Sequence, residues 1–172
     1  MHRNTKFGGC GLIAAVVLLS GCTSLLQGKQ YVFPKAGEPS ATVRMKYESG
    51  TSLDAITFND SGCYAGYTTL PGTDEYIEAP VVAGKELVLT YKRVLAGAAC
   101  QIPFSFTPEA GATYTLQSGS WSEAGSGLLS MFTRDQHYCG VGLVKTVGDK
   151  QSVERIQQLR IKTAFACLTF VK

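Results

Sequence analysis

The chain has 172 residues, with 16 Lys and Arg against 13 Asp and Glu and a formal charge of +3. Arg3 and Lys6 precede Cys22 and no acid occurs before Glu38, so from Cys22 onward the balance is 14 against 13. That near-neutrality excludes a chain built to neutralise nucleic-acid phosphates, and the length suits one domain with its own core.

The N-terminus is the first element. The apolar run Leu12–Leu19 has eight residues, against roughly 20 for a membrane-spanning helix. A basic region ahead of a short apolar run, with small residues after it, is the pattern of a secretory signal. Here Ser20 and Gly21 lead directly into Cys22. The segment Leu19-Ser20-Gly21-Cys22 resembles the lipobox of bacterial lipoproteins. The resemblance implies a signal peptide over 1–21, removed by signal peptidase II. It also implies a diacylglyceryl group on the Cys22 sulfur and an acyl chain of the palmitate type on its freed amino group. No other cofactor is expected. One acyl chain anchors only marginally, at about 0.8 kcal/mol per buried CH₂, so several chains hold the protein. Thr23 stands where inner-membrane members of that family carry aspartate. The implied location is therefore the outer membrane, with the domain facing the periplasm. Cys10 lies ahead of the apolar run and leaves with the signal.

Residues 22–40 read as the lipidated cysteine and a tether, since Gly28, Pro34, Gly37 and Pro39 interrupt helix and strand alike. The cluster Tyr31-Val32-Phe33 is the part of it suited to pack on the domain. From 41 to 172 the pattern is that of a β-domain. "TVRMKY" alternates Val43, Met45 and Tyr47 against Arg44 and Lys46; "AITFND" sets Ile56 and Phe58 on one face before a turn at Asp60-Ser61-Gly62. "KELVLTYKRVL" alternates Leu87, Leu89 and Tyr91 against Val88, Thr90 and Lys92. "QIPFSFTP" aligns Ile102, Phe104 and Phe106, and "ATYTLQS" aligns Tyr114 and Leu116. Period-two alternation in short runs bounded by Gly, Pro and Asp is the strand signature. "TPEAG", between the last two runs, reads as a tight hairpin connection. A further strand covers Tyr138–Val147, weakened by Gly140 and Gly142.

In "DKQSVERIQQLRIKT" the period changes. Val153, Ile156 and Leu159 recur at helical spacing, with Phe165 beyond them and Asp149 or Ser152 placed to cap. "TAFACLTFVK" reads as a final strand holding Cys167. The expected fold is mainly β: an antiparallel β-sandwich of about seven strands with one short C-terminal helix.

Four cysteines remain once Cys10 and Cys22 are set aside: Cys63, Cys100, Cys139 and Cys167. An even number in an exported chain reads as two disulfides. Of the three connectivities, pairing neighbours in sequence (Cys63 with Cys100, Cys139 with Cys167) is preferred. The spacings are too wide for zinc knuckles, and no metal is expected. Catalysis is not expected either. His137 is the only histidine after Cys22, and no GxSxG elbow accompanies it. Its neighbours Arg134 and Asp135 read as solvated loop residues, and the carboxylates Asp74, Glu75 and Glu78 as a polar loop.

The stretch 118–136 holds the only Trp of the chain. Trp121 is followed by a Gly/Ser-rich passage and then by Leu128, Leu129, Met131 and Phe132, an apolar tip on a long connection. These five residues form the candidate binding loop, for an envelope protein or for a small apolar or glycan ligand. The alternative is that they fold back as a lid over one end of the sandwich. "AGKELVLTYK" followed by "CQIPFSFTPEAGATYTL" is similar to a loose group of small proteobacterial lipoproteins with Ig-like or transthyretin-like sandwiches. Within that architecture the outer-membrane lipoprotein of type VI secretion anchors a membrane complex through a loop. The resemblance implies a non-catalytic, periplasm-facing interaction or structural module, or an accessory lipoprotein of a secretion system. The expected partners are the membrane, through the lipid, and an envelope protein.

Overall fold

Alternation along Ser40–Lys46 produces strand β1, which buries Ala41, Val43 and Met45 and turns Arg44 and Lys46 outward. The computed structural model describes residues 28–95, 98–123 and 136–172. The following strands are β2 (Thr51–Phe58), β3 (Tyr64–Thr69), β4 (Tyr76–Val82), β5 (Leu87–Leu95), β6 (Ala98–Phe106), β7 (Thr113–Glu123) and β8 (Gln136–Val147). After them come β9 (Lys150–Glu154), β10 (Gln157–Gln158), β11 (Arg160–Ala164) and β12 (Cys167–Val171). One five-stranded sheet has the order β4-β1-β7-β8-β9 and a second β10-β6-β5-β2-β3; β11 and β12 form a separate hairpin. All pairings are antiparallel except β1 with β7.

The two large sheets share one core. Val43, Met45, Ile77, Val81, Tyr114, Leu116 and Leu143 come from the first, and Leu53, Ala55, Leu87, Leu89, Tyr91, Ile102, Phe104 and Phe106 from the second. The rings of Phe106 and Tyr114 meet between them at 4.8 Å. Each of these strands offers an apolar side chain at every second position, so two such faces bury each other and set the alternate positions on the outer faces of the sheets.

Several expectations need correction. Instead of the expected seven strands and one helix, the described residues contain twelve strands in three sheets and no helix. Where the helix was expected, Gly148-Asp149 joins β8 to β9 as a two-residue hairpin turn, with Val147 opposite Lys150 and Gly148 at φ 55°. Glycine at the first central position suits such a turn. The apparent helical stripe divides accordingly. Leu159 is buried and Ile156 packs on the core, but Val153 is 84% exposed and Phe165 fully so. Short apolar spacings do not separate a helix from extended chain crossing a sheet edge.

"TPEAG" is not a hairpin connection, because β6 and β7 lie in different sheets. It is a crossover, pinned by Gly84 N–H donating to Pro108 O and Gly111 N–H to Ser40 O. Ile56 and Phe58 do share a face of β2, but Leu53 and Ala55 fill the core, and Phe58 instead meets Phe170 of β12 edge-on at 5.7 Å.

The disulfides also differ from the preferred pairing. Cys63 is bonded to Cys167 and Cys100 to Cys139. Proximity in sequence was a poor guide, because Cys100 lies on β6 facing the core across from β8, and the returning C-terminal hairpin brings Cys167 to the β2–β3 turn. Finally, the described part of the tether is a strap. Gly28 bridges Gly66, and Lys29 N–H donates to Ala65 O. Tyr31 N–H donates to Thr68 Oγ1, and the Tyr31 hydroxyl accepts from Val82 N–H at 3.0 Å. The strap thus runs from the β3 edge of one sheet to β4 of the other, and burial raises the Tyr31 hydroxyl pKa above 10.0.

Candidate functional site

The β7–β8 hairpin is in continuous register from Thr113 opposite Thr146 to Glu123 opposite Gln136. Its neighbours are shorter. β1 pairs with β7 only from Thr113 to Leu116, and β9 pairs with β8 only from Leu143 to Val147. Residues 117–123 and 136–142 therefore form a two-stranded arm that runs on past both flanking strands. Such a ribbon is marginal by itself. Here Cys139, on the arm's inner face, is bonded to Cys100 of β6 with Cα atoms 6.3 Å apart, and Val141 packs on the core.

The other face of the arm carries a directly opposed pair, Trp121 and Tyr138. Their rings stack at 5.7 Å and 15°. Trp121 is 51% exposed and Tyr138 36%. The indole also reaches over Gly140, where a Cβ would stand 3.5 Å from the ring. Gly119 and Gly142 beside them offer no side chain, and open space lies above both. The result is an aromatic shelf on a flat, nearly side-chain-free floor. Stacked cross-strand aromatics stabilise a ribbon, and Trp121 keeps half of its surface exposed to solvent.

Of the sequence-selected residues, Trp121 stands on this shelf. Leu128, Leu129, Met131 and Phe132 lie outside the described residues, as does Cys22. Tyr138 was missed, since only the register of β7 against β8 puts it beside Trp121. His137 falls on β8 opposite Ser122, whereas Arg134 and Asp135 lie outside the described residues. Asp74 and Glu75 sit exposed in the turn before β4, where Thr73 Oγ1 accepts from the N–H groups of Glu75 and Tyr76. Glu78 is exposed on β4. Among the described residues no three His, Cys, Asp or Glu side chains gather into a metal-binding group.

Two other features stand apart from the shelf. Asp54 is buried on the outer face of β2, where Lys92 Nζ approaches to 2.6 Å and the Thr69 hydroxyl donates at 2.7 Å. Lys92 also lies 5.0 Å from the Tyr67 ring centroid. A buried carboxylate held by a cation and a hydroxyl is a sufficient structural reason for all three. A groove of about 340 Å³ lies between the strap and the β4–β5 turn, lined by Tyr31, Phe33, Val82, Lys85 and Leu87 among others.

No protein-family model matches this chain, and neither a curated protein nor a solved structure matches it. No helix among the described residues is long and apolar enough to cross a membrane.

Proposed function

We propose that the protein is a non-catalytic lipoprotein of the outer membrane. Acylated at Cys22, it faces the periplasm and uses the β7–β8 arm as its contact surface. The observation that carries the contact surface is the exposed Trp121–Tyr138 stack on an arm clamped by Cys100–Cys139. Large aromatics are the residues most enriched at binding hot spots, and a disulfide that fixes such a pair lowers the ordering cost of binding. Two disulfides suit the oxidising periplasm. The lipobox resemblance at Leu19–Cys22 supports the anchor.

Architecturally, the reading is a transthyretin-like sandwich with additions. In the Ig arrangement the first strand lies beside the second, whereas β1 here lies between β4 and β7. The additional strands β9 to β12 all follow β8.

The test is a photocrosslinking residue at Trp121 in cells, with Lys150 as control and with Cys22→Ala in parallel. One discrete envelope protein captured from Trp121 alone, and release of the Cys22→Ala chain from the membrane fraction, are the expected results. Such a partner could belong to a secretion-system assembly, and its identity decides that alternative. A second reading is favoured by the flat shelf itself: a glycan or small apolar ligand stacked on Trp121. Saturable quenching of Trp121 fluorescence by a glycan, without a protein crosslink, selects that reading. Neither a crosslink nor quenching overturns the arm as a contact surface.

A further inference from the structure

The C-terminal hairpin presents a side chain that the fold does not use. Phe165, at the tip between β11 and β12, is fully exposed, and every residue of β11 is exposed as well. The tip turns through Ala166 at φ 60°, a left-handed backbone that disfavours a side chain there. The other strand holds the hairpin down. Cys167 is bonded to Cys63, with Cα atoms 5.3 Å apart, and Phe170 packs against Phe58 and Tyr64. From Arg155 to Lys172 the chain has four basic residues (Arg155, Arg160, Lys162 and Lys172) and no acidic one. Lys29 adds a fifth positive charge nearby, its ammonium donating to Phe58 O at 3.3 Å. Asp60, in the adjoining β2–β3 turn, is the acid closest in sequence to Cys63.

The start of the strap lies on this same side of the molecule. Gly28 bridges Gly66, three residues from Cys63, and Cys63 is bonded two residues from Phe165. Only six peptide links separate Cys22 from Gly28, which span at most roughly 20 Å. A lipid on Cys22 therefore leaves the domain no long leash, and the side that must meet the bilayer is the one where Gly28 is pinned.

We infer that the β11–β12 hairpin is a membrane-docking element: Phe165 enters the interfacial layer of the bilayer while Lys29, Arg160 and Lys162 lie among the phosphates of anionic lipids. An exposed aromatic at the tip of a hairpin whose strands carry exposed basic residues and no acid has the composition of an interfacial anchor, and a second, non-covalent contact fixes the orientation of a chain held by its lipid. This inference rests on acylation of Cys22.

The test uses the full acylated protein, reconstituted in vesicles of phosphatidylethanolamine and phosphatidylglycerol. These contain a lipid doxyl-labelled on its acyl chain near the headgroup. Two single-tryptophan proteins are compared, the parent with Trp121 and the double substitution Trp121→Phe, Phe165→Trp. The mass of the Cys22 peptide is measured in both. Quenching of about two-fold or more is expected at position 165 and little at 121, because the interfacial layer is only 5–10 Å deep. Vesicle-bound, acylated protein with position 165 unquenched, or with both positions quenched alike, overturns the docking element and leaves the anchor standing. A Cys22 peptide without acyl mass overturns the anchor itself, and the docking element with it.

Discussion

The two ends of the molecule are braced in the same way and present opposite surfaces. At one end, Cys100 of β6 holds Cys139 of the arm, and the exposed residues are an uncharged aromatic pair over glycines. At the other, Cys63 of the β2–β3 turn holds Cys167 of the hairpin, whose exposed surface combines Phe165 at the tip and the apolar Ile161 and Val171 with the basic Arg160 and Lys162. Strand β2 connects the two regions. Thr51 lies opposite Arg93, whose β6 neighbour is Cys100, and Phe58 lies opposite Tyr64, next to Cys63. Its eight residues keep the ends about 25 Å apart. The strap begins at the hairpin end, so in the proposed orientation the arm points away from the membrane. In that proposal, anchoring and recognition are separated by the length of one strand.

The comparison makes the disulfides the most consequential residues outside the core. Closing loops with sequence separations of 104 and 39 corresponds to about 4–5 and about 4 kcal/mol in the chain-entropy model. Guanidinium unfolding of Cys63→Ser/Cys167→Ser and of Cys100→Ser/Cys139→Ser should show losses of that order. Amide exchange should distinguish the two pairs, with 160–171 opening in the first and 136–142 in the second. Identical exchange maps would mean that neither bond is specific to its end.

Phe104, wholly buried between the ends, belongs to neither. Phe104→Ala is expected to cost about 3–5 kcal/mol, and to do so without changing the relative protection of arm and hairpin. A preferential opening of one end would show that the core is not shared equally.

The strap supplies a smaller, pH-dependent term. Tyr31→Phe leaves the Val82 N–H without its 3.0 Å acceptor, which should cost about 1–2 kcal/mol. Burial holds the Tyr31 hydroxyl above 10.0, against a smaller lowering by its bond to Val82. The folded state thus favours the neutral phenol, and this contribution is complete below pH 10.0 and lost as pH rises through the folded value. The melting temperature should fall more steeply above that pH in the parent than in Tyr31→Phe. Equal slopes would remove Tyr31 from the alkaline transition.

The smallest expected effects on stability are at the two exposed surfaces. Phe165→Ala should lie within about 0.5 kcal/mol of the parent. Trp121→Ala should cost about 0.5–1.5 kcal/mol through the lost stack, measured by thermal unfolding. A loss at Phe165 as large as at a core position would mean that the tip is part of the fold and not a free contact.

The strands of the core were legible because their patterns were redundant. Val43/Met45, Leu87/Leu89/Tyr91, Ile102/Phe104/Phe106 and Tyr114/Leu116 each state the same period several times, and each face found is buried. The region after Val147 was illegible for the converse reason. Val153, Ile156 and Leu159 fit a helix as well as a chain that pairs with β8, crosses to the β6 edge and returns as a hairpin. Only the contacts offered by those edges decide between them. The candidate site was half readable: a lone Trp in a polar segment marked Trp121, but nothing local marked Tyr138.

The sequence by itself determined the β-character of the chain, the identity of its core faces and the presence of four cysteines for two bonds. These depend on the period of side chains along a strand and on residue chemistry, both of which are local. The tertiary structure alone decided which cysteines pair, that β6 and β7 belong to different sheets, and that the strap and the hairpin tip share one side. Those are relations between distant segments, 104 residues apart for Cys63 and Cys167 and farther still for the strap and the hairpin tip, fixed by which edges and faces remain open after the core has formed.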